Sequence, residues 1–191
     1  MLMSFQKPSV RRLSSALIAG LLLTGVPIIT SAQTNPGLTF SWGGNGPTGK
    51  QQLGYVLEYG TPGHPQDRYR LKMGRQKLAV DGITIAYPAY FDGEFNEKSI
   101  TLQESPKNKF LGFGRVPKIA VTSVKVDKDN RFIEIVPEAP IPAGKSFEIV
   151  LSNVQNPRSG GMYYFNASIT SPGDLPLKRY IGTWVISISR S

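Results

Sequence analysis

Three acids, Asp92, Glu94 and Glu97, stand close together beside Tyr90, Phe91 and Phe95. Carboxylates against aromatic rings are how many glycoside hydrolases are built: one acid protonates the leaving group, the other attacks or activates water, and their separation sets the stereochemistry. The same residues also make an ordinary polar turn with Asp92-Gly93 at its tip. The only histidine, His64, lies within Thr61-Pro62-Gly63-His64-Pro65. It has no acid or second histidine beside it in sequence, so it reads as an exposed loop residue rather than a base or ligand. Gly44 to Lys50 spells G-x-x-x-x-G-K, most of a phosphate-binding loop. Gln51 follows where a hydroxyl is needed for magnesium, and Leu53 to Tyr59 is strand-like where the anion needs a helix N-terminus, so the match is read as chance. Asp127, Asp129 and Asn130 lack the glycine and distal glutamate of a helix–loop–helix calcium site. There is no G-x-S-x-G elbow and no H-E-x-x-H pair. No catalytic residue, metal or cofactor is assigned, and Asp92, Glu94 and Glu97 remain only candidates.

Cations offer a second kind of chemistry. Arg68-Tyr69-Arg70-Leu71-Lys72-Met73 alternates strictly, which puts Arg68, Arg70 and Lys72 on one face of a strand and the apolar residues on the other. Such a strip suits a polyanion; it also describes a solvated strand face whose charges discourage edge-to-edge pairing. The irregular stretch Ser105 to Lys118 interleaves Lys107, Lys109, Arg115 and Lys118 with Phe110 and Phe113. Charge next to rings suits a sugar polymer or a single-stranded nucleic acid. The alternative is a connection whose two rings enter the core, each contributing roughly 2 kcal/mol by burial. Arg158 is a further candidate, on a polar corner between two strands.

The start of the chain reads as an export signal. Lys7, Arg11 and Arg12 precede a mostly apolar run from Leu13 to Ile29, and Ala32 offers a small residue for cleavage. Ser14, Ser15, Thr24 and Pro27 interrupt that run, which falls short of the ~20 apolar residues of a membrane span. Uncleaved, it would act as an anchor. Arg11-Arg12 is read as ordinary flank charge rather than a twin-arginine signal. Cleavage would leave 19 of the 22 basic residues against 13 acidic ones, a net charge of +6. That balance favours anionic surroundings and says nothing of fold. Without cysteine there is no disulfide, thiolate nucleophile or sulfur-held metal. The expected organisation is a leader over 1–32, a flexible Gly/Pro-rich segment over 33–52 and one β-domain over 53–191.

These side chains would be positioned by strands. In Phe147 to Ala167, Phe147, Ile149 and Leu151 alternate with Ser146, Glu148 and Ser152, with Val150 breaking the rule. After the turn-forming run Asn153 to Gly161, Tyr163, Phe165, Ala167 and Ile169 alternate with polar residues. The spacing Gly161-x-Tyr163 fits the tyrosine corner of immunoglobulin-type sandwiches, where a strand crosses to the other sheet; a plain hairpin with a wide loop is the alternative. In the corner reading, Pro157, Gly160, Gly161 and Tyr163 are structural. Further strand material is expected over Lys77 to Phe91, where Ile83, Ile85 and Tyr87 alternate with Thr84 and Ala86 before Pro88 stops the ladder, and strands over Ser99 to Leu102, Ile119 to Val126 and Phe132 to Val136. In the last strand, Tyr180 to Ser189, the side chains of Tyr180, Trp184, Ile186 and Ile188 are expected to share a face. With no amphipathic helix and turns every 8 to 15 residues or so, the expectation is an all-β, immunoglobulin-like sandwich of about seven to nine antiparallel strands.

Several stretches together carry a resemblance. Ile85-Ala86-Tyr87-Pro88 with Phe91-Asp92-Gly93-Glu94-Phe95, Pro140-Ile141-Pro142-Ala143-Gly144, Leu151 to Arg158 with Gly161-Met162-Tyr163-Tyr164-Phe165, and Tyr180-Ile181-Gly182-Thr183 resemble an exported, mainly cyanobacterial family described as a domain of unknown function. The resemblance spans about Tyr55 to Ile188. It implies export and a small β-domain, and it transfers no catalytic residue.

The expected protein is a non-catalytic binding or structural module of the periplasm, cell surface or exterior, with an acidic polysaccharide or other anionic envelope component as partner. Nucleic acid is disfavoured, and no membrane helix is expected after cleavage. A secreted polysaccharide hydrolase using Asp92 or Glu94, or an envelope assembly factor offering an open sheet edge, are the alternatives.

Overall fold

A computed structural model of the chain describes residues 49, 51–106, 116–173 and 177–189, all within the unit Thr34–Ser191. Strict alternation makes strands wherever one face can be buried. The strands are β1 (Tyr55–Leu57), β2 (Asp67–Met73), β3 (Gly82–Ala86), β4 (Ile100–Glu104), β5 (Lys118–Ile119), β6 (Val121–Asp127), β7 (Phe132–Pro137), β8 (Phe147–Val154), β9 (Gly161–Thr170) and β10 (Arg179–Ile188). One 3-10 turn, Glu97–Ser99, leads into β4. The fold is all-β, in two antiparallel sheets. The first has the order β1-β2-β8-β4-β5 and the second β10-β9-β3-β7-β6.

The inward side chains of both sheets form one core. Tyr69, Leu71, Ile149, Leu151 and Leu102 from the first sheet are fully buried, as are Ile85, Ile133, Ile135, Phe165 and Trp184 from the second. Each such side chain contributes about 1.5–3 kcal/mol by leaving water. At one end Tyr87, Phe91, Phe95 and Phe165 make an aromatic cluster, with Phe91 stacked on Phe95 at 5.1 Å and edge-on to Phe165 at 5.2 Å. Offset and edge-on geometry suits the ring quadrupoles.

The chain changes sheet between β2 and β3, β3 and β4, β5 and β6, β7 and β8, and β8 and β9, and once more before β1; three of these passages bear on the sequence reading. β8 lies in the first sheet and β9 in the second, so the stretch between them is a crossing and not a hairpin. Lys118 to Asp127, read above as the single strand Ile119 to Val126, divides at Ala120 into β5 of the first sheet and β6 of the second. Before β1, Gln52 forms a parallel bridge to Thr183 of β10, so the start of the domain belongs to the second sheet and β1 to the first.

One expectation fails at the end of the chain. A register shift between Tyr180 and Gly182 turns Tyr180 away from Trp184. Tyr180 pairs with Ser168 on the outer face, and its hydroxyl lies 2.6 Å from Thr183 Oγ1. Gly182 permits the irregularity: its φ is 153°, and a Cβ there would stand 2.6 Å from the carbonyl of Gln51.

Candidate binding face and corner

Alternation in β2 sends Tyr69, Leu71 and Met73 to the core and Arg68, Arg70 and Lys72 to the outer face of the first sheet. Register then assembles their neighbours. Lys72 is opposite Glu148, Glu148 opposite Gln103, and Gln103 opposite Lys118, so one row crosses β2, β8, β4 and β5. Lys118 and Lys72 are thus on the same face, three strand spacings or roughly 14 Å apart. Along β2 the cations follow one another at roughly 7 Å, the repeat of two residues in an extended chain.

The centre of this face is an ordered charge pair. Arg70 Nε and Nη2 both donate to Glu148 Oε2, at 3.0 and 2.8 Å, and Gln103 Nε2 donates to the same oxygen at 3.0 Å. Glu148 is only 2% exposed although its strand position is outward. Arg68 is looser: its Nη1 is 3.7 Å from Glu58 and its Nε donates to Ser152 Oγ at 3.3 Å. An exposed pair of that length contributes little. Lys72 and Lys118 are exposed and have no ion-pair partner among the described residues. Glu148 and Gln103 escaped the sequence reading of the face, because the register that places them under Arg70 joins residues far apart in the chain.

The remaining candidates are distributed elsewhere. Lys107, Lys109, Phe110, Phe113 and Arg115 lie outside the described residues, as do Lys50 and all but Gly49 of the glycine-rich loop. Arg158 is exposed on the corner, and its backbone N–H donates to Asp92 Oδ1 at 3.2 Å. Asp92 therefore serves the corner. Glu94 bridges by its backbone to Gln155 and by its carboxylate, at 3.4 Å, to Lys128. Glu97 Oε1 accepts from Val126 N–H at 2.6 Å on the edge of β6. All three acids are exposed, each directed to a different element.

The corner is held by Tyr163, whose hydroxyl donates to the carbonyl of Ser159 at 2.7 Å. Pro157 is buried, and its carbonyl accepts from Gly63 N–H at 2.8 Å. Gly160 passes the carbonyl of Ile188, where an added Cβ would come within 3.1 Å, and Gly161 opens β9 opposite Ile188. Below the corner lies a buried polar group absent from the sequence reading. Asp67 accepts from the backbone N–H of Tyr59, Gly60 and Arg68, and from the side-chain amide of Asn156. The hydroxyl of Tyr69 completes it by donating to Asn156 Oδ1 at 2.7 Å. Burial pushes the Asp67 carboxyl up, but its hydrogen bonds from Asn156, Gly60, Tyr59 and Arg68 together hold it below its ordinary value. Burial first, and the charge of Asp67 second, raise the Tyr69 phenol well above its usual range. His64 is half-buried, not exposed as expected: its ring stacks on Tyr59 at 4.0 Å, and its Nδ1 accepts from Gln66 N–H at 3.3 Å.

Among the described residues no three His, Asp or Glu side chains gather as a metal site, and no helix is long and apolar enough to cross a membrane. Residues 39–188 match the model of a family described as protein of unknown function (DUF2808). Among curated proteins no sequence relative matches. Solved structures are similar at low identity. The collagen-binding domain of a Staphylococcus aureus adhesin aligns with TM-score 0.39 and 10% identity, over 72% of this chain and 97% of that one. The RrgA Jo.In complex aligns with TM-score 0.38 and 13% identity, over 69% and 76%. A structure of manganese lipoxygenase of Gaeumannomyces graminis with zonadhesin of Komagataella pastoris gives 0.43 and 11%, over 72% and 48%.

Proposed function

The chain belongs to the DUF2808 family, over residues 39–188, and we propose that it is an exported, non-catalytic module that holds an acidic polysaccharide on the outer face of its first sheet. The leader-like residues 1–32 support export, to the periplasm, the cell surface or the exterior. One observation carries the binding reading. Arg68, Arg70 and Lys72 share the outward side of β2, and Lys118 joins them on that face across β8 and β4. The carboxylates against them are Glu58, loosely paired, and Glu148, buried. A row of cations on one sheet face attracts a polymer with repeated negative charge, and the attraction weakens with salt. Lys107, Lys109 and Arg115, with Phe110 and Phe113, lie in the sequence between β4 and β5 and outside the described residues, and the proposal keeps them as further candidate contacts. Arg158, on the corner, would be a separate and weaker contact.

The test is binding of the leader-free protein to immobilised polygalacturonate at increasing salt. Binding that falls steeply with ionic strength, and that Arg68→Gln with Lys72→Gln weakens at least tenfold, supports the reading. Absent or salt-independent binding ends it.

A further inference from the structure

Glu148 looks like the wrong residue for an anion-binding face. It sits at the centre of the row Lys72, Glu148, Gln103, Lys118, and its charge opposes that of the proposed ligand. Its geometry explains its presence. With Glu148 only 2% exposed, Oε2 takes three donors: Arg70 Nε at 3.0 Å, Arg70 Nη2 at 2.8 Å and Gln103 Nε2 at 3.0 Å. Two of these fix the guanidinium by one edge. The side chain of Arg70 is still 35% exposed, so part of the planar fork is left to solvent. An arginine held by one edge has already lost its rotamer freedom and offers its remaining N–H groups in one orientation.

We infer that Glu148 and Gln103 are positioning residues that aim the outward edge of the Arg70 guanidinium at a carboxylate of the polysaccharide, with Lys72 and Lys118 acting as point charges on either side. The inference rests on the proposed function and deepens it by naming the group recognised. A planar carboxylate meets a planar fork through two parallel N–H···O bonds, which a lysine cannot provide. Recognition therefore separates into a directed contact at Arg70 and diffuse attraction from the lysines.

The separation gives a test with opposite signs. Glu148→Gln removes one negative charge from the face, raising its net charge by one, and keeps the side-chain volume. If the face works by net charge alone, this variant binds polygalacturonate more tightly than the wild type. If Glu148 positions Arg70, it binds roughly tenfold more weakly despite the higher net charge, a loss on the scale of one hydrogen bond to a charged group. Arg70→Lys conserves charge, and the same loss is expected because the fork is gone. Folding is verified by an unchanged near-ultraviolet circular dichroism spectrum and an unchanged urea midpoint. Independently of ligand, the Arg70 Nε–H resonance is expected to be slow to exchange in the wild type and fast in Glu148→Gln. Tighter or equal binding by Glu148→Gln overturns the inference and leaves the binding face standing. No binding by the wild type removes the face and the inference with it.

Discussion

The side-chain amide of Asn156 donates to Asp67 Oδ2 at 2.8 Å, joining the first residue of β2 to the corner 89 positions later. Both residues are out of contact with water. Asn156 also donates to the carbonyl of Thr61 at 2.8 Å and accepts from Tyr69, so one amide ties the loop before β2, the strand itself and the crossing between sheets. A buried carboxylate is tolerated because donors surround it, and removing the charge leaves those donors unmatched.

Asp67→Asn is therefore expected to lose about 2–4 kcal/mol, since an amide cannot accept the same set of bonds. The pH dependence follows from the lowered carboxyl. Its contribution is complete above the unfolded value near 3.9 and disappears as pH falls below that toward the folded value. Urea unfolding between about pH 3 and pH 7 is expected to show this acid loss in the wild type and a shallower one in the variant. The raised Tyr69 phenol acts at the other limit: its contribution is full below about pH 10 and declines as pH rises above it.

Tyr163→Phe removes the bond to Ser159 and leaves the ring in place. A loss of about 1 kcal/mol is expected, with faster amide exchange confined to the corner. Unfolding by urea with hydrogen exchange measures both, and no change in either would mean that the corner stands without its tyrosine.

Gly182→Ala places a methyl group against the carbonyl of Gln51 and the side chain of Leu53, with the backbone at a φ that favours glycine. The expected result is a loss of about 1–3 kcal/mol, accompanied by release of residues 51–53 from β10. Limited proteolysis near Leu53 reports the release.

Glu97 covers one amide of β6, an outer strand of the second sheet. Glu97→Ala uncovers it and removes a charge from an edge, the kind of device that keeps strands from pairing between molecules. Concentration-dependent association, followed by light scattering, is expected to exceed that of the wild type.

What could be read in the sequence is what depends on near neighbours. Arg68 to Met73 alternates so strictly that its two faces follow from the period of a strand, and Gly161-x-Tyr163 marks a crossing because few other arrangements need that spacing. Glu148 beneath Arg70 could not be read, because it needs the register between β2 and β8. Ala120 was hidden because the alternation runs on across it while the chain changes sheet. Tyr180 was misplaced, although Gly182 inside a strand is itself a sign of an irregularity. Asp92, Glu94 and Glu97 stand close along the chain, and the fold directs them to the corner, to Lys128 and to β6.

Closure of the second sheet along β10 also dictates when folding can finish. Leu53 N–H bonds to Thr183, and Ser187 N–H bonds to the hydroxyl of Tyr55, 132 positions away. Leu53 N–H and the Tyr55 hydroxyl thus wait for β10, late in the chain, although the backbone of Tyr55 pairs with β2 much sooner. Contacts of such long range make folding slow, and until residue 188 has emerged the β10 side of β9 stays uncovered and residues 51–53 lack their bridge to Thr183. A nascent or truncated chain is for that interval a target for proteases and holding chaperones, and maturation is a single late event rather than a gradual one.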